Sequence, residues 1–208
     1  MPTSTFFRLP EEKRERLLDA GWMELTQVRF ADMSINRIIA AAHIPRGSFY
    51  QYFGDKEELV RYLLGDMREY FVLLLRNILI EAEGDLFELP LMAYDRFINQ
   101  QGRTDLMLTR FIKMLTLNKG IDLQSFIGGP KHFLPDELWE AVDISKLRRG
   151  DREYADEVFH LSCAVLAFAI LETLHDPAQS ARVRERTKAR TQLLRWGGAA
   201  EKYKEETA

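Results

Sequence analysis

Cysteine is almost missing from this chain: Cys163 is the single one among 208 residues. That excludes an internal disulfide and any CxxC metal knuckle, and it fits a reducing cytoplasm. The opening MPTSTFFRLPEEKRER holds no apolar core segment, so no secretory signal is expected. The longest uncharged apolar run toward the end, Leu161 to Leu171, is too short for a bilayer span, and no membrane partner is expected. There is no Gly-rich phosphate loop, and His43, His132, His160 and His175 are scattered. His160 and Cys163, three apart, are the one pair to weigh as a metal or nucleophilic site; on an apolar helix such a pair is more often packing. The expectation is therefore no enzyme, no cofactor and no metal. Strand alternation, internal repeats and low-complexity segments are also lacking, which leaves an all-α chain.

An excess of positive charge is absent too. The net charge is −3, and residues 1 to 60 carry eight Lys or Arg against nine Asp or Glu. Composition alone does not suggest nucleic acid. Between Ser34 and Lys56, however, Arg37, Arg46 and Lys56 face only Asp55. A footprint that small needs two copies to bind DNA well.

That stretch, SINRIIAAAHIPRGSFYQYFGDK, organises the rest. Ser34 is a good N-cap for a helix through Ile35, Ile38 and Ile39 to Ala42, and its free N–H groups suit a phosphate. His43, Ile44 and Pro45 break the run, since Pro45 disfavours helix at Ile44. A second helix is expected from Pro45 or Arg46 to Tyr52. Phe49 and Phe53, four apart, turn inward, while Arg46, Ser48, Tyr50, Gln51 and Tyr52 cover the other faces with donors, acceptors and rings. The outline is a helix-turn-helix reader of duplex DNA.

Arg16-Leu17-Leu18-Asp19-Ala20, Phe30, Ile38, Ala42, Ile44, Gly47-Ser48-Phe49-Tyr50, Tyr52-Phe53, Lys56-Glu57 and Leu59 together resemble the N-terminal domain of the TetR family of transcriptional repressors over about residues 10 to 62. Ile39 stands where a small Ala is usual, His43 where the corner has Gly, and Pro45 where a Ser cap is usual. His43 is expected at positive φ, which His tolerates better than branched residues do. The resemblance implies a three-helix helix-turn-helix domain followed by a larger helical domain for ligand binding and dimerisation. The expected boundary puts residues 1–55 in the first and 56–208 in the second.

Within that frame, Arg46, Gln51 and Tyr52 are expected at base edges, and Ser34, Asn36, Ser48, Tyr50 and Lys56 at phosphates. A first helix spans Pro10 to about Val28, and the helix opened by Asp55-Lys56-Glu57-Glu58 runs on to about Glu83. Further helices are expected at 85–101, 104–118, 135–147, 152–175 and 177–196, with a long irregular loop from Lys119 to Leu134. Tyr70, Phe71, Tyr94, Phe97, Met107, Phe111 and Met114, with Met92 and polar Asn99, Gln100 or Arg110 nearby, are either core or the lining of an apolar cavity. The family's middle helices imply the second, for a small, mostly apolar effector. The helix at 152–175 is apolar on most of its circumference, more than the following helix can cover, so a homodimer through 152–175 and 177–196 is expected on a near-palindromic operator. The rival reading is a helical small-ligand carrier or interaction module whose helix-turn-helix is only structural.

Overall fold

The computed structural model describes residues 1–98, 104–118 and 132–203. Its helices are α1 (Ser4–Phe7), α2 (Glu11–Leu25), α3 (Ile35–Ala42), α4 (Arg46–Tyr52), α5 (Lys56–Glu81), α6 (Leu89–Phe97), α7 (Leu106–Leu117), α8 (Asp136–Trp139), α9 (Arg152–His175) and α10 (Ser180–Gly198). The fold is all-α, and the described residues pair only through two isolated bridges, Ile98 with Thr104 and Leu147 with Ala199.

Packing divides the chain into two units. One gathers Met1–Glu69 with the described part of Leu106–Gly129, the other Tyr70–Asp105 with the described part of Pro130–Ala208. α5 contributes to both.

In the first unit Leu17, Trp22 and Leu25 of α2 close over Ile38 and Ala42 of α3, Phe49 of α4, and Leu59 and Leu63 of α5, all buried. α2 and α5 meet closely at Gly21, where an added Cβ would lie 3.1 Å from Leu63 and 3.2 Å from Leu59, so both leucines would have to give by a few tenths of an ångström. α7 belongs to this unit. Its Arg110 reaches Asp19 at 2.6 Å and lies over the Trp22 ring, and Asn118 accepts the Phe30 N–H at 2.7 Å.

α5 starts as its sequence indicates. Asp55 accepts the Glu58 N–H at 2.7 Å while the Glu58 carboxylate reaches back to the Gly54 N–H at 2.7 Å, so two otherwise unpaired donors are satisfied reciprocally. Beyond its last residue, Glu81, the chain turns through Glu83 and Gly84, both at positive φ. Gly84 cannot carry a side chain there, because Asp143 N would sit 2.4 Å from its Cβ.

In the second unit α6, α9 and α10 pack together around Ala93, Tyr94, Val158, Leu166, Ala169, Ile170 and Val183. Arg195 of α10, 4% exposed, donates to Asp85 at 2.8 Å and Glu88 at 2.6 Å, so the buried cation is fully paired. The opposite side of α9 and α10 is uncovered, with Leu161, Phe168, Leu171, Leu193 and Trp196 exposed. By length and composition alone α9 is apolar enough to pass for a membrane span. A core helix of a bundle passes the same test, and α6 and α10 already occupy one side of α9.

Several helix limits differ from expectation for local reasons. Residues 85–88 form a turn held by the Asp85 carboxylate on the Phe87 N–H, so α6 begins only at Leu89. The expected helix at 135–147 is α8 followed by a 3-10 turn at Ile144–Lys146. Between them Asp143 gives its N–H to Gly84 and takes the Ser145 N–H on its carboxylate, which competes with helix continuation. Pro177–Gln179 is a 3-10 turn ahead of α10. The short helix α1 is absent from the sequence reading. Asn99, Gln100 and most of the Lys119–Leu134 loop lie outside the described residues.

Candidate nucleic-acid interface

α3 and α4 meet at a corner whose backbone is set by His43, at φ 54° and ψ 46°. The Ile44 N–H bonds the Ile39 carbonyl at 3.1 Å and the His43 N–H the Ala40 carbonyl at 3.3 Å, the paired closure that ends a helix with a left-handed residue. His43 thus takes the conformation that glycine adopts without penalty, as expected from the sequence. Pro45, with φ −63°, then sets the first turn of α4.

The start of α3 is held differently from expectation. Ser34 stands at the N-cap, but its side chain makes no cap bond. Glu24, 5% exposed on α2, accepts the Ser34 N–H at 2.8 Å and the Arg37 Nε at 2.8 Å. The same carboxylate holds the Arg37 guanidinium above its ordinary range. Ser34 N–H is therefore taken inside the protein, and Glu24 is a residue that sequence reasoning missed; ten residues separate it from its partner.

On α4, Phe49 is sealed against Phe53 behind the helix, while Arg46 and Gln51 are exposed and Tyr50 is 46% exposed. Ser48 and Tyr52 are half-buried, Tyr52 with its ring near Phe6. The Arg46 guanidinium donates to the side-chain amide oxygen of Asn36 on α3, reaches the Tyr50 hydroxyl at 3.3 Å and lies 5.8 Å over the Tyr50 ring. Three predicted DNA residues from two helices thus form one outward-facing polar cluster.

Lys56 is half-buried and its ammonium donates to the carbonyls of Phe30 at 3.1 Å, Ala31 at 3.1 Å and Met33 at 3.4 Å, above the Phe30 ring. It closes the turn that leads into α3, a role its position in the motif does not reveal. Of the basic residues on α2, Arg16 pairs with Glu12 at 3.2 Å and Lys13 is exposed.

The expected ligand residues are split between the units. Tyr70, Phe71, Tyr94 and Phe97 belong to the second, Met107, Phe111 and Met114 to the first. Phe71 meets Phe97 and Tyr70 edge-on at 5.7 and 5.5 Å. The Tyr94 hydroxyl is occupied inside the bundle by Thr173 at 2.7 Å and the Ser180 carbonyl at 3.1 Å. The rival pair on α9 has little chemistry to offer. The His160 ring lies against Phe133 at 4.4 Å, and burial pushes the Cys163 thiol up to about 12, far from a reactive thiolate.

Comparison with known proteins starts from this motif. Residues 17–63 match the profile of the bacterial regulatory proteins, tetR family. Over 89 residues the chain is 30% identical to the HTH-type transcriptional repressor NemR of Escherichia coli K12, covering 43% of this chain and 45% of NemR. Over 68 residues it is 31% identical to the transcriptional regulator AcuR of Cereibacter sphaeroides, covering 33% of this chain and 31% of AcuR. The matched part is thus less than half the length of either curated relative. Among solved structures, a TetR family transcriptional regulator from Chloroflexus aurantiacus superposes with a TM-score of 0.53 at 23% identity, over 97% of this chain and 100% of that one. The reduced form of E. coli NemR gives 0.56 at 20% identity, over 88% and 97%. At these identities the likeness to solved structures is one of fold, and the all-α arrangement extends beyond the helix-turn-helix. With the motif and its matched profile in agreement, residues 17–63 form a helix-turn-helix domain of the kind found in the bacterial regulatory proteins of the tetR family.

Proposed function

We propose that the protein is a cytoplasmic, ligand-responsive repressor that binds a near-palindromic operator as a homodimer and is released by a small, mostly apolar effector. The observation that carries this reading is the outward cluster of Arg46, Asn36 and Tyr50 beside exposed Gln51, on a helix pair whose corner and inner face are locked. Arg46, Gln51 and Tyr52 read base edges; Ser34, Asn36, Ser48, Tyr50 and Lys56 position phosphates. Asn36 holds the guanidinium in place before DNA arrives, which lowers the ordering cost of binding.

Residues 1–55 serve reading, and 56–208 serve effector binding and pairing. The uncovered apolar side of α9 and α10 supports a two-fold four-helix bundle, in which small Ala164 and Ala167 allow close approach. The effector contacts a subset of Tyr70, Phe71, Tyr94, Phe97, Met107, Phe111 and Met114, with Tyr94 offering its ring rather than its engaged hydroxyl. α5 is one uninterrupted helix shared by both units, so a tilt imposed at its far end moves the reading helices.

A gel-shift with DNA from upstream of the protein's own gene, run with and without cell extract, tests this. A retarded band that competes poorly with random duplex and is released by the low-molecular-weight fraction of the extract is expected. Equal binding to operator and random duplex at physiological salt refutes it.

A further inference from the structure

The segment before α2 lies outside the matched profile, which begins at residue 17, yet it is bound to the reading helix. α4 has only seven residues, and its last carbonyls have no partner within the helix. Phe53 N–H serves the Phe49 carbonyl. The last two carbonyls of the helix are served from Thr3, whose hydroxyl donates to the Gln51 carbonyl at 2.5 Å and whose N–H donates to the Tyr52 carbonyl at 3.1 Å. A threonine at an N-cap usually spends its hydroxyl on its own helix; Thr3 stands at the N-cap of α1 and makes no such bond. α1, four residues long, cannot persist on its own. It is anchored by Phe6, fully buried, with its ring 4.9 Å from Phe53 and 5.2 Å from Tyr62.

We propose that this N-terminal segment is a working part of the DNA-reading head, with Thr3 a positioning residue: by closing the carbonyl end of α4 it fixes the two residues, Gln51 and Tyr52, that face the bases. The proposal rests on the DNA-reading function of α4 given above. It predicts that selectivity depends on a side chain that touches no DNA and lies outside the motif.

The experiment compares the full-length wild type with Thr3→Val, which keeps the shape and deletes the hydroxyl, and Thr3→Ser, which restores it. Hydrogen exchange of the α4 amides is measured without DNA, and affinity for the operator and for a random duplex of equal length is measured in parallel. For Thr3→Val, exchange in the last turn of α4 is expected to speed up, and the operator-to-random affinity ratio to fall about three- to tenfold, the worth of one hydrogen bond. Affinity for random duplex should hold, and Thr3→Ser should recover both readouts. Wild-type exchange and ratio in Thr3→Val overturn the proposal, as does an equal loss on both duplexes, which marks general destabilisation. A wild type that prefers no duplex sinks the DNA reading alone, and the exchange data then decide by themselves whether Thr3 holds α4.

Discussion

The carboxylate of Glu24 accepts the backbone N–H of Ser34 at 2.8 Å, so the residue that opens α3 is tied to the neighbouring helix α2 while its own side chain makes no cap bond. Ser34 can then present its hydroxyl to a phosphate while the helix end stays fixed. Glu24→Ala removes a charged acceptor from a part-buried N–H, a loss of about 1.5–3 kcal/mol. A lower midpoint in thermal unfolding, with weaker binding to any duplex, is expected. An unchanged midpoint would show that this bond does not hold the start of α3.

His43 holds a left-handed backbone with a side chain attached. Replacing it with glycine relieves about 1 kcal/mol of steric cost, partly offset by the greater freedom of glycine in the unfolded chain. His43→Gly should therefore raise stability by about 0.5 kcal/mol in urea unfolding. A destabilised variant would mean that the imidazole makes contacts that outweigh the strain.

Arg46 and Lys56 should separate in their effects on DNA. Arg46→Ala is expected to cost about 1–3 kcal/mol on operator and little on random duplex. Lys56→Met should weaken all duplexes alike and flatten the salt dependence by about one unit. Because the Lys56 ammonium also ties the carbonyls of Phe30, Ala31 and Met33, this variant should lose thermal stability as well. Equal losses on both duplexes for Arg46→Ala would remove it from the base-reading set.

Phe168 on α9 and Trp196 on α10 are 65% and 63% exposed. A Phe168→Glu, Trp196→Glu double variant places charge on the uncovered face without disturbing the core. Sedimentation should give twice the 24.3 kDa chain mass for the wild type and a single chain for the variant, with operator affinity lost in step. A wild type that sediments as one chain contradicts the proposed pairing.

Tyr70 donates to Asp105 at 2.8 Å, and burial together with that carboxylate pushes its phenol up to about 12. The folded state holds this proton more tightly than the unfolded chain, where tyrosine titrates near about 10. Its contribution to stability is complete below pH about 10 and drains away as the pH rises toward about 12. Denaturant titrations across that window should show a shallower decline for Tyr70→Phe than for the wild type. Parallel profiles would falsify the link. Burial raises Tyr94 and Tyr62 in the same direction, so the difference between the two proteins isolates Tyr70.

The sequence by itself determined the helix-turn-helix, because its signals are local. Apolar spacing, Pro45 at the helix start, the non-glycine corner at His43 and the Asp55 to Glu58 cap each act within about one turn of chain. Tertiary structure alone decided how that motif is held. Thr3 meets Gln51 across 48 residues, Phe30 meets Asn118 across 88, and Glu24 takes the Ser34 N–H across ten. Such bonds depend on where distant segments pack, and a donor with many acceptors within reach carries no mark in the sequence of which one it will find. The same holds for the aromatics of the middle helices: their spacing marks them as buried, while the hydroxyl of Tyr94 finds its partner only when α6 lies against α9 and α10.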